Sequence, residues 1–394
     1  MASRRTFLKG AGTISVLLAG GAVWRAYDSG VFAAGEGPAY EPWRDWRTRV
    51  DEGPLSLVRA AILAANPHNT QPWLFRISEA RIELHADTAR NLGSFDPFLR
   101  EMHIGLGCAV ENMALAAAAG GYACKVTLVP GRLDAVPEQT GRTLVATLDL
   151  ANVPKQPSEL YDAIPRRHTN RAAYAASRAL APDLLASIGG VAEGNDELRV
   201  FLFTTSDTKA KFGELVINAT ETIVTDKAMV QDSERWFRYD WADVQASRDG
   251  PTLDATGMSP PMTALAKMLP RPSPETSHRY WLEATRNVQV PGTAAFGLIA
   301  VRDLYDRPLA IRAGRAWQRI HLLATVNGVA MQPINQPVEL VDRERQLSKE
   351  PRAERALAAL TGAPDWKPTF AFRMGYPTQA AAPSPRRPIE GVLV

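Results

Sequence analysis

The sequence predicts an α+β protein built as two tandem halves, a pseudo-dimer within one chain. Three observations carry that expectation. At 394 residues the chain is long enough for two or three domains, or for one large fold made of two halves. Helical and strand-like patterns are interleaved along it, which fits layered helices and sheets rather than a helix bundle. Finally, a shift of 207 residues aligns Gly107 with Gly314, Ala109 with Ala316, Leu115 with Leu322, Ala117 with Ala324 and Gly121 with Gly328. Alanine-rich helices also produce chance matches, so the repeat counts together with the other two signals.

The first 34 residues read as a leader. Ser3-Arg4-Arg5-Thr6-Phe7-Leu8-Lys9 precedes residues 10–24, which are apolar but rich in Gly, Ala, Ser and Thr, and too few for an ordinary membrane span. The pattern resembles a twin-arginine export signal. That resemblance implies passage through the twin-arginine translocation machinery to the periplasm or the outer face of the cytoplasmic membrane, often with a cofactor already loaded. A frayed basic start on an amphipathic helix is the alternative, but no polar face accompanies the apolar run. Val31-Phe32-Ala33-Ala34 offers small residues for cleavage; an uncleaved anchor is the alternative.

The first half is expected over 45–155. Residues 55–65 pattern as an amphipathic helix, 73–77 and 81–85 as extended runs, and 125–129 as a strand. Between them, 104–120 is apolar almost all round, as a helix buried on every side would be. The second half is expected over 156–394, with helices at 163–172, 182–188 and 314–329 and strands at 198–204 and 369–374. Residues 225–292 break the pattern: Trp236, Phe237, Tyr239 and Trp241 cluster, then Pro and Gly recur. Such an insertion is either a lid over a site or a surface excursion packed on its own domain.

Composition excludes several classes. Apolar residues make up 45% and charged residues 22%, ordinary proportions for a chain with a sizeable core. The net charge of +3 belongs to the leader, where Arg4, Arg5, Lys9 and Arg25 face Asp28 alone; removing them from 45 basic and 42 acidic residues leaves 41 of each. A neutral body lacks the footprint that a phosphate backbone requires, so no nucleic-acid partner is expected. Cys108 and Cys124 are the only cysteines, too few for a zinc site and outside any Cys-x-x-Cys motif; buried free thiols are expected. His85, His103, His278 and His321 show no ligand spacing.

Two polar stretches carry the chemistry. In Asn66-Pro67-His68-Asn69-Thr70-Gln71-Pro72-Trp73, side-chain amides that both donate and accept could match the edge of a heterocycle, or brace a proline turn. Arg166-Arg167-His168-Thr169-Asn170-Arg171 would place cations and a hydroxyl at a helix start, where free N–H groups favour an anion; a solvated basic patch would look alike. Arg386 and Arg387 near the C-terminus are either further anion contacts or exposed tail charges. No Ser-His-Asp set, metal-ligand cluster or nucleotide-binding glycine fingerprint competes.

Together these stretches resemble the FMN-dependent nitroreductase superfamily. Asn69-x-Gln71-Pro72-Trp73 is similar to its Asn-x-Gln-Pro-Trp loop, Arg167-His168-Thr169-Asn170-Arg171 to its Arg-x-Ser-x-Arg/Lys segment, and Gly375-Tyr376-Pro377 with Arg387-Pro388 to its C-terminal ending. The Asn-Pro-His-Asn form of the loop, the run from Asp96 to Met102 and the tandem layout resemble the Acg-like branch, in which one chain mimics the usual homodimer. The resemblance covers about 54–394. It implies a nitroreductase-like fold, one FMN per chain, and a monomer whose helices 107–120 and 314–328 meet at a pseudo-twofold interface. It assigns Arg167 and Thr169, with His168 in the same segment, to the phosphate, and Arg171 to the polar edge of the ring. Arg387, with Arg386, would complete the phosphate clamp, and Pro67, His68 and Asn69 would come from the other half. Pro333, Asn335 and Gln336 occupy the family's Pro-x-Glu-Gly position, where a backbone N–H reaches flavin N5. The implied activity is electron transfer through the flavin to a small oxidised substrate, a nitro compound or quinone; the alternative is an FMN sequestration or storage protein without turnover.

Overall fold

The computed structural model describes residues 23–47, 53–135 and 141–394. The twin-arginine stretch lies outside the described residues. Two four-stranded antiparallel sheets carry the fold. The first orders its strands β1-β2-β4-β3, from Trp73–Ile77 (β1), Arg81–Asp87 (β2), Tyr122–Leu128 (β3) and Arg142–Asn152 (β4). The second, with Leu198–Phe203 (β5), Ala295–Val301 (β6), Ala330–Pro333 (β7) and Lys367–Gly375 (β8), is ordered β5-β6-β8-β7, the same permutation. Each sheet has a register irregularity in its second strand, at Leu84/His85 and at Ile299/Ala300. The fold is therefore α+β with two tandem halves.

Helices follow in chain order as α1 (Glu41–Asp45), α2 (Pro54–Ala61), α3 (Arg100–Gly120), α4 (Glu159–Ala163), α5 (Pro182–Gly189) and α6 (Ser206–Ile223). Next come α7 (Lys227–Glu234), α8 (Trp241–Ser247), α9 (Pro260–Met268), α10 (Pro274–Ala284), α11 (Arg307–Val326), α12 (Gln336–Gln346) and α13 (Arg352–Thr361). Helices α3 and α11 each sit between the second and third strands of their half and end on a left-handed glycine, Gly121 with φ 90° and Gly328 with φ 67°. A Cβ on Gly107 would fall 2.0 Å from the carbonyl oxygen of Ile311, and one on Gly314 would fall 1.9 Å from that of Ile104. Ile104 and Ile311 are themselves 207 residues apart, so the two close approaches are the same contact seen from each half. Only a hydrogen in place of a side chain lets the backbones come this near.

Polar groups complete the crossing. Glu111 is buried and receives Arg315 (3.0 Å) and Arg319 (2.7 Å), Gln318 Nε2 donates to Asn112 Oδ1 at 2.8 Å, and Cys108 Sγ donates to Gly314 O at 3.3 Å. Asn112 Nδ2 in turn donates to Ala60 O, tying α2 to the pair. Helix α3 is long and apolar enough to cross a membrane, yet it is the buried centre of this core.

The two sheets differ in how they are covered. Strand β2 alternates buried and more exposed positions, as a sheet with one solvent face does, whereas all seven residues of β6 are buried. The added cover on the second sheet comes from α6, whose Phe212 stacks on Phe296 of β6 at 4.7 Å. Helix α6 opens a long connection: β1 and β2 are joined by residues 78–80, but β5 and β6 by residues 204–294, which hold α6 to α10. Across its 225–292 part, where the sequence shows poor periodicity, the structure has four helices. They are short and started by Ser or Asp residues, two of them with Pro in the first turn, so no apolar stripe runs long enough to register as a period.

Other boundaries also shift. The expected helix 314–329 begins at Arg307, capped by Asp306, whose carboxylate accepts the Leu309 N–H. The expected helix 163–172 is absent: α4 ends at Ala163, a single tight turn covers Ile164–Arg166, and the chain then runs extended. Strand β4 falls outside the expected elements, although Ala146, Leu148 and Leu150 alternate with Thr147 and Asp149 along it. Because Gly314 faces rigid backbone, Gly314→Ala is expected to cost about 3 kcal/mol in urea denaturation. Gly328→Ala, with nothing within 4 Å but a left-handed backbone, is expected to cost only about 1 kcal/mol.

Candidate functional site

The site begins where α2 ends. Consecutive carbonyls there, at Leu63 and Ala64, accept from two arginines of the second half: Arg167 Nη2 reaches Leu63 O at 3.1 Å and Arg386 Nη2 reaches Ala64 O at 3.3 Å. Both side chains are 2% exposed. Each also keeps a buried Nε without a partner. Burial, then the charge of Arg167, holds Arg386 well below its ordinary range; burial lowers Arg167 to about 10. Among the described residues no carboxylate pairs with either, so two guanidinium groups lie side by side out of water with their charge uncompensated.

The polar loop joins them. His68, Asn69 and Gln71 all have φ near 50°, a left-handed backbone seldom adopted by residues with a Cβ and commonest where a site demands it. The loop is braced by Gln71 N donating to Asn66 Oδ1 at 2.8 Å. Asn69 Oδ1 accepts from Arg386, and Asn69 Nδ2 donates to Pro385 O at 2.9 Å. Gln71 Oε1 accepts the Arg387 N–H at 2.8 Å, while Arg387 Nη1 donates to Gln71 O at 3.2 Å. The alternative of exposed tail charges therefore fails for Arg386, which is buried, and Arg387 is tied to the loop by backbone and side chain. The tail then pairs with the edge of β1, Phe75 N donating to Val392 O and Val394 N to Phe75 O.

The basic segment is corrected in one respect. It does not open a helix but leaves one, so the anion argument from helix N–H groups and dipole does not apply to it. Thr169 instead bridges Met331 of β7, and Asn170 Oδ1 takes the Ala172 N–H, an Asx turn that outcompetes helix. The extended run carries Arg171 to the neighbourhood of His68. Arg171 Nη1 donates to Ala255 O at 3.1 Å, and burial lowers its basicity. Burial first, then Arg167 and Arg386, lowers His168 to about 3; burial and Arg171 lower His68 to about 4. Both rings are uncharged at neutral pH, which adds no further positive charge to the cluster.

Pro333 lies half-buried at the end of β7, linked to the basic segment through Arg373, whose Nε donates to Gln332 Oε1 (2.7 Å) and Nη2 to Ala172 O (2.7 Å). At Asn335 and Gln336 the expectation concerns a backbone N–H, and the side chains are placed elsewhere. Asn335 Nδ2 donates to Glu101 Oε1 at 2.9 Å and its Oδ1 takes the Ala371 N–H at 2.7 Å, so both ends of the amide are spent inside the interface between halves. Gln336 is buried beside it, its Oε1 unpartnered. What is left for a ligand at these positions is backbone.

Trp43 and Arg373 had no assignment from sequence, and Gln71 of the polar loop takes a partner that the sequence did not indicate. Trp43 of α1 fills the gap between Arg386, 4.7 Å from its ring, and His168, 4.6 Å away, and donates to Ser384 O. Gln71 organises Arg387. Arg373 is fully buried in β8, within the run Phe370-Ala371-Phe372-Arg373-Met374; a charge inside that apolar run was the signal available for it.

Residues 248–257 close over the loop as a strap. Gln71 Nε2 donates to Arg248 O (2.8 Å), Asn69 Nδ2 to Gly250 O (3.3 Å) and Arg171 to Ala255 O. Asp249 pairs with Arg90 and, at 2.7 Å, with Arg238. The strap turns on left-handed Arg248, Gly250 and Gly257. Its carbonyls take the same donors that a heterocycle edge would use.

Beneath Asn335 lies an acidic cluster. Asp96, Glu101, Glu339 and Asp342 are buried around Arg100, which pairs with Asp342 at 2.7 Å. Asp96 also accepts the Glu101 and Met102 N–H groups, starting α3. Burial, then Asp96, raises the Glu101 carboxyl from 4.5 to about 8. Burial, then Glu101, raises Glu339 well above its usual range. Among the described residues no group of three His, Cys, Asp or Glu side chains is arranged to hold a metal ion.

Among known proteins, no family model matches the chain. Relatives from two strains of Mycobacterium tuberculosis, provisionally named NAD(P)H nitroreductases, are 28% identical over 345 residues, 86% of this chain and 90% of each relative. The solved FMN-dependent nitroreductase NfnB of Mycobacterium smegmatis, in complex with NADPH, is 15% identical with a TM-score of 0.38 over 59% of this chain and 97% of its own. A provisionally named nitroreductase of Anabaena variabilis is 10% identical with a TM-score of 0.43 over 75% of this chain and 69% of its own.

Two expectations follow. Neutral Glu101 favours the fold below its unfolded value near 4.5, and that stability is lost as pH rises toward about 8. Glu101→Gln, which keeps the acceptor for Asn335, should gain stability over the parent at pH 8.5 but not at pH 4.5, by up to about 1.4 kcal/mol per pH unit in between, read by urea melts. Gly257→Ala would set a Cβ 2.4 Å from the Arg171 carbonyl carbon; amide exchange of 248–257 should rise while that of α3 is unchanged.

Proposed function

We propose that the chain is an FMN-binding oxidoreductase of the nitroreductase type, passing electrons through the flavin to a small oxidised substrate such as a nitro compound or a quinone. The observation that carries this reading is the buried pair Arg167 and Arg386, with unpartnered Nε atoms and no counter-charge. Such a pair fits a phosphate and is costly without one. The likeness of the relatives' whole length, and their provisional names, agree with it.

In this reading Arg167 and Arg386 hold the phosphate, with Thr169 and His168 lining it, and Arg387 fixes the loop from behind. Arg171, Asn69 and the Pro67–Asn69 turn provide donors for the polar edge of the ring, and the backbone at Pro333 to Gln336 faces its centre. Bound FMN supplies the redox chemistry. The protein's own work is to neutralise the phosphate, offer cationic and amide donors to the ring edge, and exclude water through the strap. The strap carbonyls at 250 and 255 must yield Asn69 and Arg171 when a ring enters. Export by the twin-arginine route belongs to the same proposal, as does a monomeric state, because α3 and α11 already bury within one chain what subunit association would otherwise cover.

The purified protein should show flavin absorbance, or acquire it on adding FMN; no absorbance under either condition defeats the reading. Arg167→Ala is expected to weaken FMN binding at least tenfold, about 1.4 kcal/mol, by fluorescence titration, and unchanged affinity removes that assignment. Reduction by NADPH or dithionite followed by reoxidation with a nitroaromatic or quinone marks the oxidoreductase. A reduced protein that neither acceptor reoxidises marks a flavin holder.

A further inference from the structure

Helix α9 leaves an apolar stripe in solvent. Met262, Leu265 and Leu269, the last at the helix's C-terminal cap, are 53, 50 and 53% exposed, and spacings of three and four set them on one face. No residue of α9 is buried. The helix is held to the body by its other side, where Lys267 pairs with Asp254 at 2.8 Å and donates to Gly30 O at 3.0 Å.

That second contact brings residues 23–32 alongside. Gly30 sits so close against Trp241 that a Cβ would fall 2.5 Å from it, and Arg25 and Arg271 both act on Asp240. This stretch exposes Trp24, Tyr27 and Phe32 at 66, 78 and 72%. Two neighbouring elements thus carry three exposed aliphatic and three exposed aromatic side chains, while their charged residues are paired, Arg25 with Asp28 and Lys267 with Asp254. A soluble surface rarely carries so much apolar area in one place without a partner.

We propose that this lobe, α9 with residues 23–32, rests on a lipid bilayer. In the chain that keeps its leader, Val23, itself exposed, directly follows in sequence residues 10–22, an apolar run preceded by Arg4, Arg5 and Lys9. The side chains are of the kinds that settle at the membrane boundary, with Trp and Tyr at headgroup depth and Leu and Met below. Because the neighbouring charges are paired off, the attraction is apolar, and binding is insensitive to salt. The strap over the candidate site precedes α9 in the chain, so the docked helix continues from the segment that covers the loop.

The test uses the full chain in a Cys124→Ser background, with an environment-sensitive fluorophore on Leu265→Cys, Leu269→Cys or, as a control in another part of the surface, Leu347→Cys. Vesicles are phosphatidylethanolamine with about a quarter phosphatidylglycerol, carrying brominated acyl chains. Labels at 265 and 269 should shift to shorter wavelength and be quenched, the label at 347 should not, and the quenching should persist at about 0.5 M NaCl. Met262→Ser/Leu265→Ser/Leu269→Ser should lower vesicle partition about tenfold with an unchanged melting profile. The proposal is overturned if the chain binds vesicles while both labels stay unquenched, since residues before Val23 would then act alone. It is also overturned if the chain does not bind, or if the labels shift with protein concentration in the absence of lipid, which would make a second copy the partner.

Discussion

Everything else in the molecule is arranged around the place where α3 and α11 touch at Gly107 and Gly314. Both contacts run from a glycine to a main-chain oxygen, so there is no side chain to adjust and the distance between the helices is fixed by backbone volume. The polar ties on either side, Glu111 with two arginines and Asn112 with Gln318, set the rotation about that point. Since α2 is bonded to α3 through Asn112, its C-terminal carbonyls are located relative to the second half to within the tolerance of the crossing. Arg167 and Arg386 find those carbonyls because of it.

The halves meet with opposite electrostatic characters at two levels. Around the end of α2, guanidinium groups gather without acids; around Asn335, four carboxyl groups share one arginine. A neutral overall composition conceals both. Buried like charges persist only when something else neutralises them, an anion in the first case and protons in the second. The protein therefore carries an unmet demand for negative charge at a defined place, whatever its redox role.

Much of this was legible in the sequence, for identifiable reasons. The 207-residue shift found the two crossing helices because glycine at a backbone contact admits no substitute, and it found Gly121 and Gly328 because a left-handed terminus favours the same residue. Strand β1 was legible to its bounds as a short, mostly apolar run, and β2 shows the alternation that one solvent face imposes. The basic segment was found for its composition but placed on the wrong structure: Pro165 and the Asx turn at Asn170 defeat the helix that its neighbours suggest. Asn335 and Gln336 were read by position alone, and position does not reveal that a glutamate 234 residues earlier would claim the amide. Trp43 could not be found at all without the fold, since nothing local distinguishes it from the other tryptophans. The strap was legible only as an irregular aromatic insertion, because its role lies in carbonyl groups that every residue possesses.

One contact has a consequence for biogenesis. Asn69 and Arg386 are separated by 317 residues, and the tail that carries Arg386 goes on to pair with β1. During synthesis the amino-terminal sheet emerges long before that tail exists, so its outer strand stays open and its polar turn stays unsatisfied until translation has finished. A nascent chain can settle much of its core early, but the arginine cluster at the end of α2 forms last, and a product truncated between Gly375 and Arg386 would keep the strands of both sheets while losing the Arg386 side of that cluster.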